Sequence, residues 1–133
     1  MLYKICPVFV FYTDKFLPVG MGGNSYVFGP FCFMLIRNEF KHDEGIHNHE
    51  MVHVKQHWRT WWLHHFKYSE SDKYRFESEV EAYAHQYASY PNKKHFDIFV
   101  DFMLDKYNLP FSKDIISSAL LRAIKELQLP API

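Results

Sequence analysis

Residues 47–56 read His47-Asn48-His49-Glu50-Met51-Val52-His53-Val54-Lys55-Gln56, and inside them His49-Glu50-x-x-His53 has a spacing that suits one structure and one chemistry. On an α-helix, positions i and i+4 lie one turn apart on the same face, so both imidazoles can reach a single metal ion. Glu50 follows the first histidine and projects to the side of that pair, close enough to a water on the metal to act as general base. Nine His and eight Glu are present in 133 residues. Composition alone would produce the pattern in about 3 of 100 shuffled sequences, so the surrounding chain has to supply the context.

Working outward, the stretch opens a helical region that follows a β-rich one. Leu2 to Tyr12 is rich in Val, Ile, Phe and Tyr, and Ser25 to Phe40 is apolar and aromatic apart from Gly29-Pro30. Asp14-Lys15 and the segment from Pro18 to Asn24 carry turn residues. Two or three strands in a small sheet are expected, or one buried hairpin with a long glycine loop. From Asp43 the periodicity becomes helical, with Asp43 or Asn48 as cap. The first helix is expected to reach about Phe66 or to break near Thr60, and Tyr68 to Asp72 to form a polar connection. Further helices are expected over 72–90 (apolar face Phe76, Val80, Tyr83, Tyr87, Tyr90), over 93–107, and over 112–127 with Ser112 as N-cap. The expectation is one α+β domain spanning 1–133, a small N-terminal β-sheet packed on about four helices around a zincin-like active-site helix.

Composition narrows the function classes. The chain is 48% apolar and 19% aromatic, unlike a disordered segment. Fifteen basic and fifteen acidic residues cancel, which argues against a nucleic-acid partner or an anionic membrane. No run approaches the roughly 20 apolar residues of a membrane-spanning helix, and the N-terminus lacks a small-residue cleavage site. Cys6 and Cys32 lie in apolar stretches and read as reduced core thiols. The expected setting is cytoplasmic. The oligomeric state is not encoded in any feature of the chain.

A catalytic zinc site takes three protein ligands and leaves one position open. No carboxylate follows on the ligand face of the first helix, so the third ligand must come from another element. Arg75-Phe76-Glu77-Ser78-Glu79-Val80-Glu81-Ala82 offers three carboxylates. At about 100° per residue, Glu81 projects roughly 120° from the centre of the apolar face, whereas Glu77 and Glu79 each lie about 80° away, on opposite borders. Projection prefers Glu79 only slightly over Glu77.

The combination of His49-Glu50-Met51-Val52-His53 with Glu79-Val80-Glu81-Ala82 some 25 residues later resembles the gluzincin group of zinc peptidases. The short chain resembles their single-domain forms, the minigluzincins. His53-Val54-Lys55-Gln56 is similar to the His-x-x-Gln continuation of small bacterial and phage metallopeptidases. The likeness covers about residues 42–90. It implies His49, His53 and Glu79 as zinc ligands, Glu50 as catalytic base, and a strand beside the helix that holds an extended substrate, with Phe31 to Arg37 the candidate. Position 83 is Tyr where several gluzincins have Asp.

Other residues carry weaker expectations. Gln56 shares the ligand face and could orient a ligand. His57, His85, Tyr74 and Tyr83 are candidate oxyanion donors. His42, His47, His64 and His65 are candidates for a second metal cluster, and Trp58, Trp61 and Trp62 form a stripe that reads as core. The function expected is a zinc-dependent peptidase-like hydrolase acting on a peptide or protein. Its rivals are a catalytically inactive metal-stabilised binding or scaffold domain and a metal-free helical interaction module.

Overall fold

Phe31-Cys32-Phe33-Met34-Leu35-Ile36 alternates strictly, with Cys32, Met34 and Ile36 buried and their neighbours turned outward. This period of two makes a half-buried strand. In the computed structural model, which describes residues 8–28, 31–61 and 63–133, this strand (β3, Phe31–Ile36) lies at the centre of a three-stranded sheet. β1 (Val8–Tyr12) pairs with it in parallel, Val8 opposite Cys32, and β2 (Gly23–Phe28) pairs antiparallel, Gly23 opposite Ile36. The expected β segment before Val8, Cys6 within it, the Gly29-Pro30 interruption and Trp62 lie outside the described residues.

The connection from β1 to β2 is a turn at Pro18–Met21, closed by the Met21 amide donating to the Pro18 carbonyl at 3.1 Å. Gly20 sits there at φ 82°, the left-handed position that such a turn demands of its third residue. Arg37 braces it, donating from Nε to the Met21 carbonyl (2.9 Å) and from Nη2 to the Pro18 carbonyl (3.1 Å).

Helix α1 (Glu44–Arg59) packs on β2 and β3. Of the two expected caps, Asp43 does the work: its carboxylate accepts from the Ile46 amide at 3.1 Å. Val54 joins Cys32, Met34 and Ile36 in a small core, with Ile46, Met51 and Trp58 against it. Burying each such aliphatic side chain contributes about 1.5–3 kcal/mol. The helix stops at Arg59, short of Phe66. Thr60 Oγ1 donates back to the Gln56 carbonyl at 2.8 Å, and Trp61 takes a left-handed φ of 52°. Trp61 is therefore not core but 77% exposed, which corrects the stripe: of its described members only Trp58 packs inward. The break produces a separate short helix, α2 (His64–Glu70), where a polar connection was expected to begin.

By its internal contacts the chain divides into two compact units, Met1–His65 and Phe66–Ile133. The second holds α3 (Asp72–Tyr87), α4 (Lys93–Lys106) and α5 (Lys113–Glu126). Each starts at a capping side chain, Ser71, Asn92 and Ser112, accepting an amide two or three residues into the helix. α3 ends three residues before the expected Tyr90, which still packs beside the core. That core is built from Val80, Tyr83 and Tyr87 of α3, Phe99 and Met103 of α4, and Ile116, Leu120 and Ile124 of α5. The fold is α+β, as expected, with five helices because the first expected one is two. Among the described residues no helix is long and apolar enough to cross a membrane.

Leu120 is fully buried in the helical core. Leu120→Ala should lower the unfolding free energy by about 2–5 kcal/mol, the cost of lost transfer energy plus a cavity, read by urea denaturation.

Candidate metal centre

The buried side of α1 is unusually polar. His49, Glu50, His53, Gln56 and His57 are all less than a tenth exposed. The i, i+4 spacing brings the two Nε2 atoms of His49 and His53 to 3.2 Å. Two imidazoles bound tetrahedrally to one zinc at about 2.0–2.1 Å would hold their nitrogens about 3.3 Å apart. The Nδ1 of His53 donates to Gln56 Oε1 at 2.8 Å, since an amide oxygen only accepts. That bond fixes the tautomer, with Nε2 the unprotonated nitrogen, and orients the ring. Gln56, three residues on, is thus a buried partner of His53 and not a surface residue.

Glu50 is 5% exposed and lies beside β2. A Cβ built on Gly23 would come within 3.1 Å of Glu50 Cγ, so strand and carboxylate meet where only glycine leaves room. β2 is the outer strand of the order β1-β3-β2, and β3 has neighbours on both sides. Phe31 to Arg37, expected to receive a substrate strand, is therefore excluded: its backbone groups are already paired within the sheet.

The three carboxylates of α3 separate clearly. Glu77 is exposed, 3.8 Å from Lys73. Glu81 is partly exposed, and its carbonyl accepts from His85 Nδ1 at 2.9 Å. Glu79 is 2% exposed and its Oε1 accepts from the Tyr68 hydroxyl at 2.6 Å. Around it the Tyr83 and Tyr107 hydroxyls are 2.7 Å apart. Arg75 ties this neighbourhood together, donating to the carbonyls of Tyr68 (2.8 Å), Tyr107 (2.9 Å) and Asn108 (3.2 Å). Burial, and after it the Glu79 charge, push the Tyr68 and Tyr107 hydroxyls far above the usual tyrosine range, so both stay protonated as possible donors. Tyr68 and Tyr107 carried no motif in the sequence. Their only signal is a tyrosine excess whose role appears once the helices pack.

His49, His53 and Glu79 are all buried, each offers one ligand atom, and these three atoms lie within 4.8 Å of one another; the group could hold a metal ion. The remaining candidates scatter. His47 donates from Nδ1 to the Asp43 carbonyl (2.6 Å) and its Nε2 accepts from Tyr12 (3.0 Å), so it caps and braces α1. His42 is exposed. His85 is bonded back to its own helix, and Tyr83 bonds Tyr107. His57 and His64 are buried with rings 4.5 Å apart. Burial, and then the charges of His65 and His53, pull the His57 pKa down to about 3, so its ring is neutral at ordinary pH.

Gln56→Ala removes the acceptor that orients His53. It should weaken metal binding about 10–100-fold while leaving the circular-dichroism spectrum unchanged, measured by competition with a chromophoric chelator. No family model, curated protein or solved structure matches the chain.

Proposed function

We propose that the chain is a zinc-dependent, peptidase-like hydrolase of the gluzincin kind. The observation that carries this reading is the His49–His53 pair: two buried Nε2 atoms 3.2 Å apart, one ring oriented by Gln56, with buried Glu50 next in sequence to the first. The donor set fits zinc, which takes imidazole nitrogen and carboxylate oxygen. His49, His53 and Glu79 would hold the ion, and Tyr68 would orient Glu79. When bound, zinc would supply a Lewis acid that polarises a carbonyl and lowers the pKa of a water toward about 7.

The protein's own residues supply the rest. Glu50 takes a proton from the attacking water and delivers it to the leaving amine, so one carboxylate serves as base and then acid. Its burial beside Gly23 holds it in place and limits competing solvent. The outer edge of β2, which runs past Glu50, suits an extended peptide or protein segment bound by backbone hydrogen bonds.

Glu50→Gln keeps size and burial but cannot accept the proton. Zinc content and melting temperature should stay within error of the wild type, while hydrolysis of a fluorogenic peptide library falls by at least about 10²-fold, the lower range for loss of a general base. Equal rates in the two proteins would leave the metal-stabilised scaffold as the better reading. Among the carboxylates, Glu79→Ala should lose one equivalent of zinc relative to the wild type on dialysis, whereas Glu77→Ala and Glu81→Ala should keep wild-type stoichiometry; equal loss in all three would remove Glu79 as ligand.

A further inference from the structure

Histidines recur along α1 at 49, 53 and 57, and the third of these has no part in the centre described above. His57 is 1% exposed, and neither of its ring nitrogens has a hydrogen-bond partner among the described residues. A buried polar group left in this way is costly and calls for an explanation. Where the chain turns after α1, the start of α2 brings two more imidazoles against it. The His57 ring centroid lies 4.5 Å from that of His64 and 4.5 Å from that of His65, and the latter two are 5.7 Å apart. His64 is buried and His65 is exposed, so the trio opens to solvent on one side.

We propose that His57, His64 and His65 form a second site for a divalent transition metal, separate from the His49–His53–Glu79 group. Three imidazoles on one tetrahedral ion, with metal–nitrogen bonds of about 2.0–2.1 Å, have ring centroids about 5.2 Å apart, and the three observed separations bracket that spacing. His53, whose ring is 5.6 Å from that of His64, is already committed to Gln56 and His49. The rings meet edge-to-face at 66–68° where His57 is involved. Among the described residues, the ligand atoms lying within 4.8 Å of one another are those of the first group. Convergence of the second trio therefore takes rotation about χ2, which exchanges ring edges and leaves the centroids in place. A set of three neutral nitrogens with no carboxylate selects zinc, cobalt, nickel or copper over magnesium or calcium. The exposed His65 side leaves room for a water in the fourth position.

Titration of the untagged, chelator-stripped full chain with Zn²⁺, followed by gel filtration and atomic emission, tests this directly. The wild type should retain two equivalents. His65→Ala, which alters an exposed ring and leaves the core intact, should retain one, as should His57→Phe, which fills the same buried space. Glu79→Gln should also retain one equivalent, and the Glu79→Gln/His65→Ala double variant none. Two equivalents retained by both His65→Ala and His57→Phe would overturn the second site, and so would a wild type holding one equivalent that His65→Ala keeps and Glu79→Gln loses, the result for a plain packed imidazole cluster. The converse, a single equivalent lost in His65→Ala and kept in Glu79→Gln, would uphold this site and remove the hydrolase centre, so the two readings fail separately.

Discussion

Helix α1 has to bury two unlike surfaces at once. One is apolar, where Val54 meets Cys32, Met34 and Ile36 of the sheet. The other carries His49, Glu50, His53, Gln56 and His57, all buried. An apolar surface stabilises simply by leaving water, but buried polar groups do so only when their donors and acceptors are matched. The local matches are specific: Gln56 accepts from His53, and the His53 and His49 Nε2 atoms face one another. Turning one residue about its axis, the helix would lose both the sheet contact and this pairing. The polar surface therefore sets the rotation of α1 as firmly as the apolar one does.

A parallel constraint governs the carboxylate. Glu79 lies on the border of the apolar face of α3, two residues from exposed Glu77 and two from partly exposed Glu81. What distinguishes it is the tyrosine and arginine framework of the helical unit. Tyr68 donates to its Oε1, Tyr83 and Tyr107 pair beside it, and Arg75 gathers three backbone carbonyls from α2 and the end of α4. Such donors make an ionised carboxylate tolerable in a buried position. The Tyr at position 83, where the resembled peptidases place Asp, belongs to this framework through its bond to Tyr107.

Much of this was legible from residue patterns alone. The α+β class, the helix starting at Asp43, and the caps at Asp43 and Ser112 followed from local chemistry that tertiary packing did not override. The preference for Glu79 over Glu77 was slight because helical projection places both at the border of one face; only burial separates them. The end of α1 was harder to read. Thr60 can continue a helix or bond back to the carbonyl of Gln56, and the left-handed Trp61 that follows has no sequence signature comparable to glycine. A continuous helix would have set His64 two turns, about 10.5 Å, along the axis from His57, so the break is what brings His64 and His65 against it. Strand order was likewise closed to sequence, since β1 and β3 both read as apolar strands and only pairing shows which one is central.

Strand order in turn explains Gly23. A Cβ there would meet Glu50 Cγ, Ile36 Cδ1 and the Leu35 carbonyl, each at 3.1 Å, closer than side-chain carbons normally pack. Two of these contacts belong to the rigid sheet, so any larger residue would push toward the third, the stem of Glu50. The absence of a side chain therefore lets the edge strand approach α1 at the residue that follows the first histidine. Gly22, beside it, faces Phe40 and Ile46 at 3.1 Å and seats the same strand against the start of the helix. Close backbone approach of this kind is a common reason for glycine within a strand. Here it brings the outer strand of the described sheet and a buried carboxylate together.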